Sequence, residues 1–308
     1  ELRMAVEAGV GHIICDSFDE LRRLDDLLDR PQDVLIRVTP GIKADTHSYI
    51  QTGQLDSKFG FGLGDGLALR AIHAVRDSRN LRLAGLHAHI GSQIFELEPY
   101  VRAIEALGEL ARDADLGPDE FHLLNVGGGL GIAYTAADEP PSIEGYVDVK
   151  VEGVRRVFDQ APRILVEPGR SLAGNAGITI YEVGTVKEIP GVRTYVAVDG
   201  GMSDNMRPML YGARYEALIA NRAADAPDTP ATVAGMHCES SDIIVRDAAL
   251  AAPSPGDLLV TPATGAYGYA MASNYNGVPR PPVIFCDGGD ARAVVRRETY
   301  EDLVARDG

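Results

Sequence analysis

Apolar and polar positions fall into alternating blocks along the first half of the chain. Glu1–Ala8 reads as an amphipathic helix that stops at Gly9, and the short apolar run His12–Cys15 reads as a buried strand. Ser17 and Glu20 form a capping-box pattern that opens a helix to about Asp29. Val34–Val38 is a second strand, Asp65–Arg76 a helix, Leu83–His89 a strand, Pro99–Arg112 a helix and Phe121–Val126 a strand. Ser142–Asp159 reads as helix and Ile164–Glu167 as strand. Apolar strands separated by helices predict a parallel sheet with both faces covered. Polar and glycine-rich clusters stand at the C-terminal strand ends: Asp16-Ser17, His89 to Gln93, Gly127 to Gly131, and Glu167 to Arg170. A (β/α)8 barrel builds its site at those ends, which favours a barrel over an open doubly wound sheet. Five strands are countable, so about three of the eight that a barrel requires are expected to be missing.

Past Ala176 the pattern changes. Ile178–Val186, Thr194–Val198, Thr232–Met236, Ile243–Arg246, Leu258–Val260, Val283–Phe285 and Ala293–Arg296 are short, β-branched runs separated by Gly, Pro and Asp. They predict an antiparallel β domain. The expected organisation is an α/β portion over residues 1–175 and an all-β domain over 176–308, with Ala223–Pro230 as a surface loop.

Composition narrows the function classes. The chain has 308 residues, 45% hydrophobic and 24% charged, which suits a globular protein. No apolar run approaches the roughly 18 residues that span a bilayer. A net charge of −16 argues against nucleic acid and anionic membranes as partners. The 3 cysteines, Cys15, Cys238 and Cys286, show no metal-type or disulfide spacing, so no metal is expected and a cytoplasmic setting is. Glu1 is not a Met; with the strand count, this leads to the expectation that an N-terminal portion precedes it.

Individual motifs are modest. Gly127-Gly128-Gly129-Leu130-Gly131 after a strand offers backbone N–H groups to a single phosphate; a tight turn would serve as well. It lacks the spacing of a dinucleotide fingerprint. Glu167-Pro168-Gly169-Arg170 sets an acid and an arginine in reach of one cleft, or of a surface salt bridge. His87 and His89 could ligate a metal only with further ligands at other strand ends, whereas His12 and His122 lie at strand beginnings. Arg207 and Tyr211 share one helical face after the turn Asp199–Asn205. His237-Cys238-Glu239-Ser240-Ser241-Asp242 and Thr264-Gly265-Ala266-Tyr267 are unremarkable alone.

In order they are specific. H-A-H-I-G-S-Q, G-G-G-L-G, E-P-G-R, D-G-G-M-S-D-N-M-R-P-x-L-Y-G-A, H-C-E-S-S-D and G-A-Y together resemble the diaminopimelate decarboxylases. These are fold-type III pyridoxal-phosphate enzymes with an alanine-racemase-like barrel and a β domain. The resemblance runs from Glu1 to the C-terminus and implies pyridoxal 5′-phosphate as cofactor, a small amino-acid substrate and a homodimer with shared active sites. It implies that His89 stacks on the pyridine ring, that Ser92 and Gly127, Gly128 and Gly129 lie at the phosphate, and that Glu167 pairs with the pyridine nitrogen. Pro168, Gly169, Arg170 and Tyr267 complete the cofactor site. Arg170, Arg207, Tyr211, Glu239 and Tyr267 would contact substrate. Cys238 would be the proton donor, reaching with Glu239 into the partner subunit's site. The implied reaction is loss of CO2 from the D-configured end of meso-diaminopimelate and reprotonation to L-lysine.

One departure stands out. The family's cofactor-holding lysine lies on the first barrel strand, and none of Lys43, Lys58, Lys150 and Lys187 sits in a matching motif. The expectation is therefore an N-terminally truncated and inactive chain. The alternatives are a decarboxylase of ornithine, arginine or a carboxylated polyamine, against which Arg207, Tyr211 and Glu239 argue, and a non-catalytic homologue of the antizyme-inhibitor kind.

Overall fold

The computed structural model describes residues 1–42 and 57–308; Lys43 lies outside the described residues. These divide into two units, Glu1–Gly131 with Glu139–Gly169, and Ile132–Asp138 with Arg170–Gly308. The expected boundary was 175/176; the contact division falls at 169/170 and carries residues 132–138 into the second unit.

The first unit alternates helix and strand: α1 (Leu2–Glu7), β1 (Ile13–Cys15), α2 (Phe18–Leu27), β2 (Gln32–Thr39), β3 (Phe61–Gly62), α3 (Leu67–Arg76), β4 (Leu81–His87), α4 (Glu98–Asp113), β5 (Leu123–Asn125), α5 (Ile143–Val157) and β6 (Arg163–Leu165). The sheet order is β1-β2-β4-β5-β6 with β3 pairing to β2, all parallel. Five strands were expected and the described residues form six; β3 is too short to leave a periodic signal. The expected strand to His89 ends at His87, which leaves His89 in the following loop.

Both faces of the central strands β2, β4 and β5 are buried, which explains their unbroken apolar runs. Val34, Ile36 and Val38 of β2 pack towards the helices with Leu24, Ile72 and Leu107. Leu35 points the other way, onto Ala84 and Leu123. The Ser17 side chain caps α2 by accepting from the Glu20 N–H. The capping box is not reciprocal, because the Glu20 carboxylate accepts from Asp16 N–H at 2.9 Å instead of from Ser17.

The chain continues through α6 (Gly169–Ala173) into β7 (Thr179–Ile189), β8 (Arg193–Val198), α7 (Arg207–Tyr211), β9 (Leu218–Ile219), β10 (Thr229–Ala234), β11 (Ile243–Leu250), β12 (Leu258–Thr261), α8 (Gly268–Met271), β13 (Val283–Asp287), β14 (Asp290–Val295) and α9 (Tyr300–Leu303). One sheet runs β11-β10-β8-β7-β12-β9, and β13 and β14 form a separate hairpin. Val183, Val196, Val233, Leu250 and Leu259 fill its core. The domain was expected to be antiparallel, but it is mixed: β8 and β10 pair in parallel, Val196 opposite Val233. Alternation of side chains reports which face is buried and carries no information on strand direction, so this pairing left no trace in the sequence. Thr229 and Pro230, expected in a loop, open β10.

Candidate functional site

The expected site residues divide between the two units. In the first, strand ends β4, β5 and β6 bring together His87, His89, Asn125, the glycine loop and Glu167. Asn125 Nδ2 donates to Glu167 Oε1 at 2.9 Å, and His87 Nε2 lies 3.5 Å from Glu167 Oε2. His87 is 3% and Asn125 5% exposed, so both are fixed supports for a carboxylate that itself faces outward. The His87 contact, opposed by burial and joined by Asn125 and the nearby His89, brings the Glu167 carboxyl down to about 2. Glu167 is thus an anion throughout the working range.

His89 is the complementary case. Its Nδ1 accepts the Gly128 N–H at 3.2 Å, so the ring proton sits on Nε2. Burial, helped by the Arg37 charge, lowers its pKa to about 4, and the ring stays neutral. A neutral, fixed imidazole offers a flat face rather than a charge.

The glycine loop is built from close approaches. A Cβ on Gly128 would sit 1.9 Å from the Glu167 carbonyl oxygen, and Gly127 adopts φ +65° with Ala88 O 2.6 Å from where its Cβ would be. Gly127 N–H donates to Asn125 Oδ1 at 3.0 Å. The N–H groups of Gly129 and Leu130 have no hydrogen-bond partner among the described residues. Two adjacent amide donors in a loop too tight for side chains suit a phosphate group.

Behind the loop stands a feature missed in the sequence. Lys150 of α5 is 1% exposed, donates to Val126 O at 3.2 Å, and lies 4.0 Å from the centroids of both Tyr100 and Tyr146. Burial pushes its ammonium down to about 7, against the pull of the Glu167 carboxylate. Its signal was a lysine among the core-facing positions Tyr146, Gly153 and Val154 of α5.

In the second unit, Arg170 and Arg207 are each 6% exposed and flank one ring, that of Tyr134. The Arg170 guanidinium donates to Tyr134 OH and lies 4.8 Å over Tyr267. Arg207 Nε donates to Tyr215 OH at 3.2 Å, and its guanidinium is 5.0 Å over Tyr134 and 5.8 Å over Tyr211. Arg170, Arg207, Tyr211 and Tyr267 thus meet around Tyr134 and Tyr215, neither of which the motifs singled out. Two buried guanidiniums with tyrosine hydroxyls form a site for carboxylate or phosphate oxygens.

Cys238 and Glu239 are exposed on the turn between β10 and β11. Asp242 braces that turn, accepting from Met202 N–H at 2.8 Å and His237 N–H at 3.0 Å. Tyr275 OH donates to Glu239.

Residues 1–174 match the family described as pyridoxal-dependent decarboxylase, pyridoxal binding domain. Diaminopimelate decarboxylase of Bacillus subtilis is 50% identical over 318 aligned residues, covering 100% of this chain and 72% of that protein.

This chain belongs to the diaminopimelate decarboxylases.

The family member of Mycobacterium tuberculosis is 45% identical, covering 99% of this chain and 72% of its own length. The crystal structure of the Helicobacter pylori diaminopimelate decarboxylase complexed with L-lysine superposes with a TM-score of 0.90 at 31% identity, over 99% of this chain and 75% of that one. Diaminopimelate decarboxylases use pyridoxal phosphate, and the first unit fits that group: amide donors for a phosphate, an ionised carboxylate for a pyridinium nitrogen, and a neutral ring face. Other groupings fit it less. His12, Asp33 and His122 have ligating atoms within 4.8 Å of one another at the beginnings of β1, β2 and β5, but both histidines are exposed and Asp33 is ion-paired with Arg82. A cavity of about 1030 Å³ in the second unit, lined in part by Arg214, Tyr215 and Arg246, contains none of the expected site residues. Among the described residues no helix is long and apolar enough to cross a membrane.

Proposed function

We propose that this chain serves the decarboxylation of meso-2,6-diaminopimelate to L-lysine and CO2, as a cytoplasmic homodimer. The observation that carries the reading is the Glu167 carboxylate, clamped by His87 and Asn125 beside a glycine loop whose Gly129 and Leu130 amides have no partner among the described residues. Bound pyridoxal phosphate supplies an electron sink for the electron pair that departing CO2 leaves behind. Gly127, Gly128 and Gly129 carry the backbone that receives the phosphate, with Ser92 alongside, and Pro168 and Gly169 shape the turn after Glu167. Glu167 keeps a proton on the pyridine nitrogen, and neutral His89 lies against the ring. Arg170 and Tyr267 serve cofactor and substrate, while Arg207 and Tyr211 hold a substrate carboxylate. Glu239 takes the distal ammonium, and the Cys238 thiol holds the proton delivered to the carbon that loses CO2.

A dicarboxylate suits the paired guanidiniums better than ornithine or arginine, which carry one carboxylate each. CO2 release by the protein with pyridoxal phosphate, compared across meso-diaminopimelate, L-ornithine and L-arginine, tests this. Release from meso-diaminopimelate is expected; preference for ornithine or arginine, or no release from any, overturns the reading.

A further inference from the structure

Three consecutive carbonyls of the glycine loop are held from behind by three buried side chains. Lys150 Nζ donates to Val126 O at 3.2 Å, Tyr146 OH to Gly127 O at 3.2 Å, and Tyr100 OH to Gly128 O at 3.1 Å. Ile94 N–H takes the next, Gly129 O, at 2.9 Å. Each peptide unit has its donor and acceptor on opposite sides, so Lys150 and Tyr146 fix the peptides whose Gly127 and Gly128 N–H groups donate to Asn125 Oδ1 and His89 Nδ1, while Tyr100 and Ile94 turn the Gly129 and Leu130 N–H groups to the other side. The two tyrosines are 1% exposed and meet edge to face, ring centroids 5.3 Å apart, with the ammonium against both. Burial raises the pKa of each phenol, so both remain hydrogen-bond donors.

A lysine at this place needs a reason. The neighbouring buried positions of α5 are Tyr146, Gly153 and Val154, and an apolar side chain of the same volume would pack there without a desolvation cost. Satisfying one carbonyl does not require a charge. The ring faces favour the protonated amine, and its field reaches the site: it contributes to keeping His89 neutral, and the Glu167 carboxylate favours its proton in turn.

We propose that Lys150, seated between Tyr100 and Tyr146, is a positioning residue for the cofactor's phosphate, bracing the start of the 126–129 backbone from behind and placing a buried positive charge there. This rests on the reading of the glycine loop as the phosphate site. The two ideas separate experimentally. Hydrogen exchange of the loop amides with and without pyridoxal phosphate tests the loop alone, and protection of the Gly127–Gly131 segment is expected. Dissociation constants of pyridoxal phosphate and of pyridoxal, which lacks the phosphate, are then compared between wild type and Lys150→Met, a substitution that keeps the volume and removes the charge. The expected result is a loss of roughly tenfold or more for pyridoxal phosphate, with pyridoxal unchanged and the apoprotein melting at the same or a higher temperature. A filler role would instead leave the ratio of the two affinities constant. Tyr146→Phe, which deletes one hydroxyl, should shift the ratio in the same direction and serves if the methionine variant does not fold. Protection in wild type with an unchanged ratio in both variants overturns the role of Lys150 and spares the loop. Absence of protection overturns both.

Discussion

Burial and the Arg37 charge bring His89 down to about 4 from an ordinary 6.5, and the His87 and Asn125 contacts bring Glu167 down to about 2 from 4.5. Both groups bind fewer protons folded than unfolded, so both make the protein less stable as pH falls. Their windows differ. The His89 contribution declines from about pH 6.5 and is exhausted near 4, whereas that of Glu167 begins to fall near 4.5 and is gone below about 2. For His89 the full window corresponds to about 3 kcal/mol. His89→Gln keeps an acceptor for the Gly128 N–H but cannot take up a proton. Denaturant midpoints measured at pH 7 and pH 4.5 should therefore lie closer together in this variant than in wild type. An equal or larger acid loss in His89→Gln would show that the imidazole is not held neutral. The residue types were legible in the motifs; the tautomer and the protonation states were not, because they depend on Gly128 and Arg37 beside His89 and on His87 and Asn125 beside Glu167, which the fold brings in from separate segments.

The element that matters most is the glycine loop between β5 and α5, whose shape comes from what presses on it. Gly128→Ala would drive a methyl into the Glu167 carbonyl at 1.9 Å, a backbone clash that no rotamer relieves. A loss on the order of 3 kcal/mol is expected. Gly169 has no heavy atom within 4 Å of an added Cβ, and Gly169→Ala should stay within about 0.5 kcal/mol. Thermal melts of the two apoproteins check the contrast, and equal melting temperatures would mean the loop is not pinned against the segment that follows β6. Periodicity found α2, α4 and α5 and the long strands because each buries one stripe or both faces. It missed β3, with only two residues, and the clamp behind the loop, because Lys150 reads as a surface residue until Tyr100 of another helix is placed beside it.

At the scale of the molecule, the glycine loop and Tyr134 are close in sequence yet belong to different units. Residues 132–138 join the second unit through long-range contacts: Ala136 N–H donates to Glu216 at 2.6 Å, and Tyr134 packs edge to face on Tyr215, centroids 5.1 Å apart. Contacts to partners some 80 residues away leave no mark on local pattern, so the composition change near Ala176 was visible and this excursion was not. Glu167 belongs to the first unit, and Cys238 is exposed on a turn of the second. If Cys238 serves the site of a partner subunit, as the family resemblance implies, Glu167→Gln and Cys238→Ala damage different halves of a shared site. Each variant alone should be slow, Cys238→Ala by roughly 10²–10⁴-fold, the usual weight of acid–base catalysis. When the two are mixed, dissociated and reassociated, half of the dimers formed at random are mixed, and each mixed dimer has one site with both residues intact. Activity should then recover to about a quarter of the wild-type value per site. Were each site built from a single chain, no arrangement of the two variants would restore one, and the mixture would show only the average of its parents. Measuring CO2 release before and after exchange therefore decides whether the proton donor is delivered across the dimer.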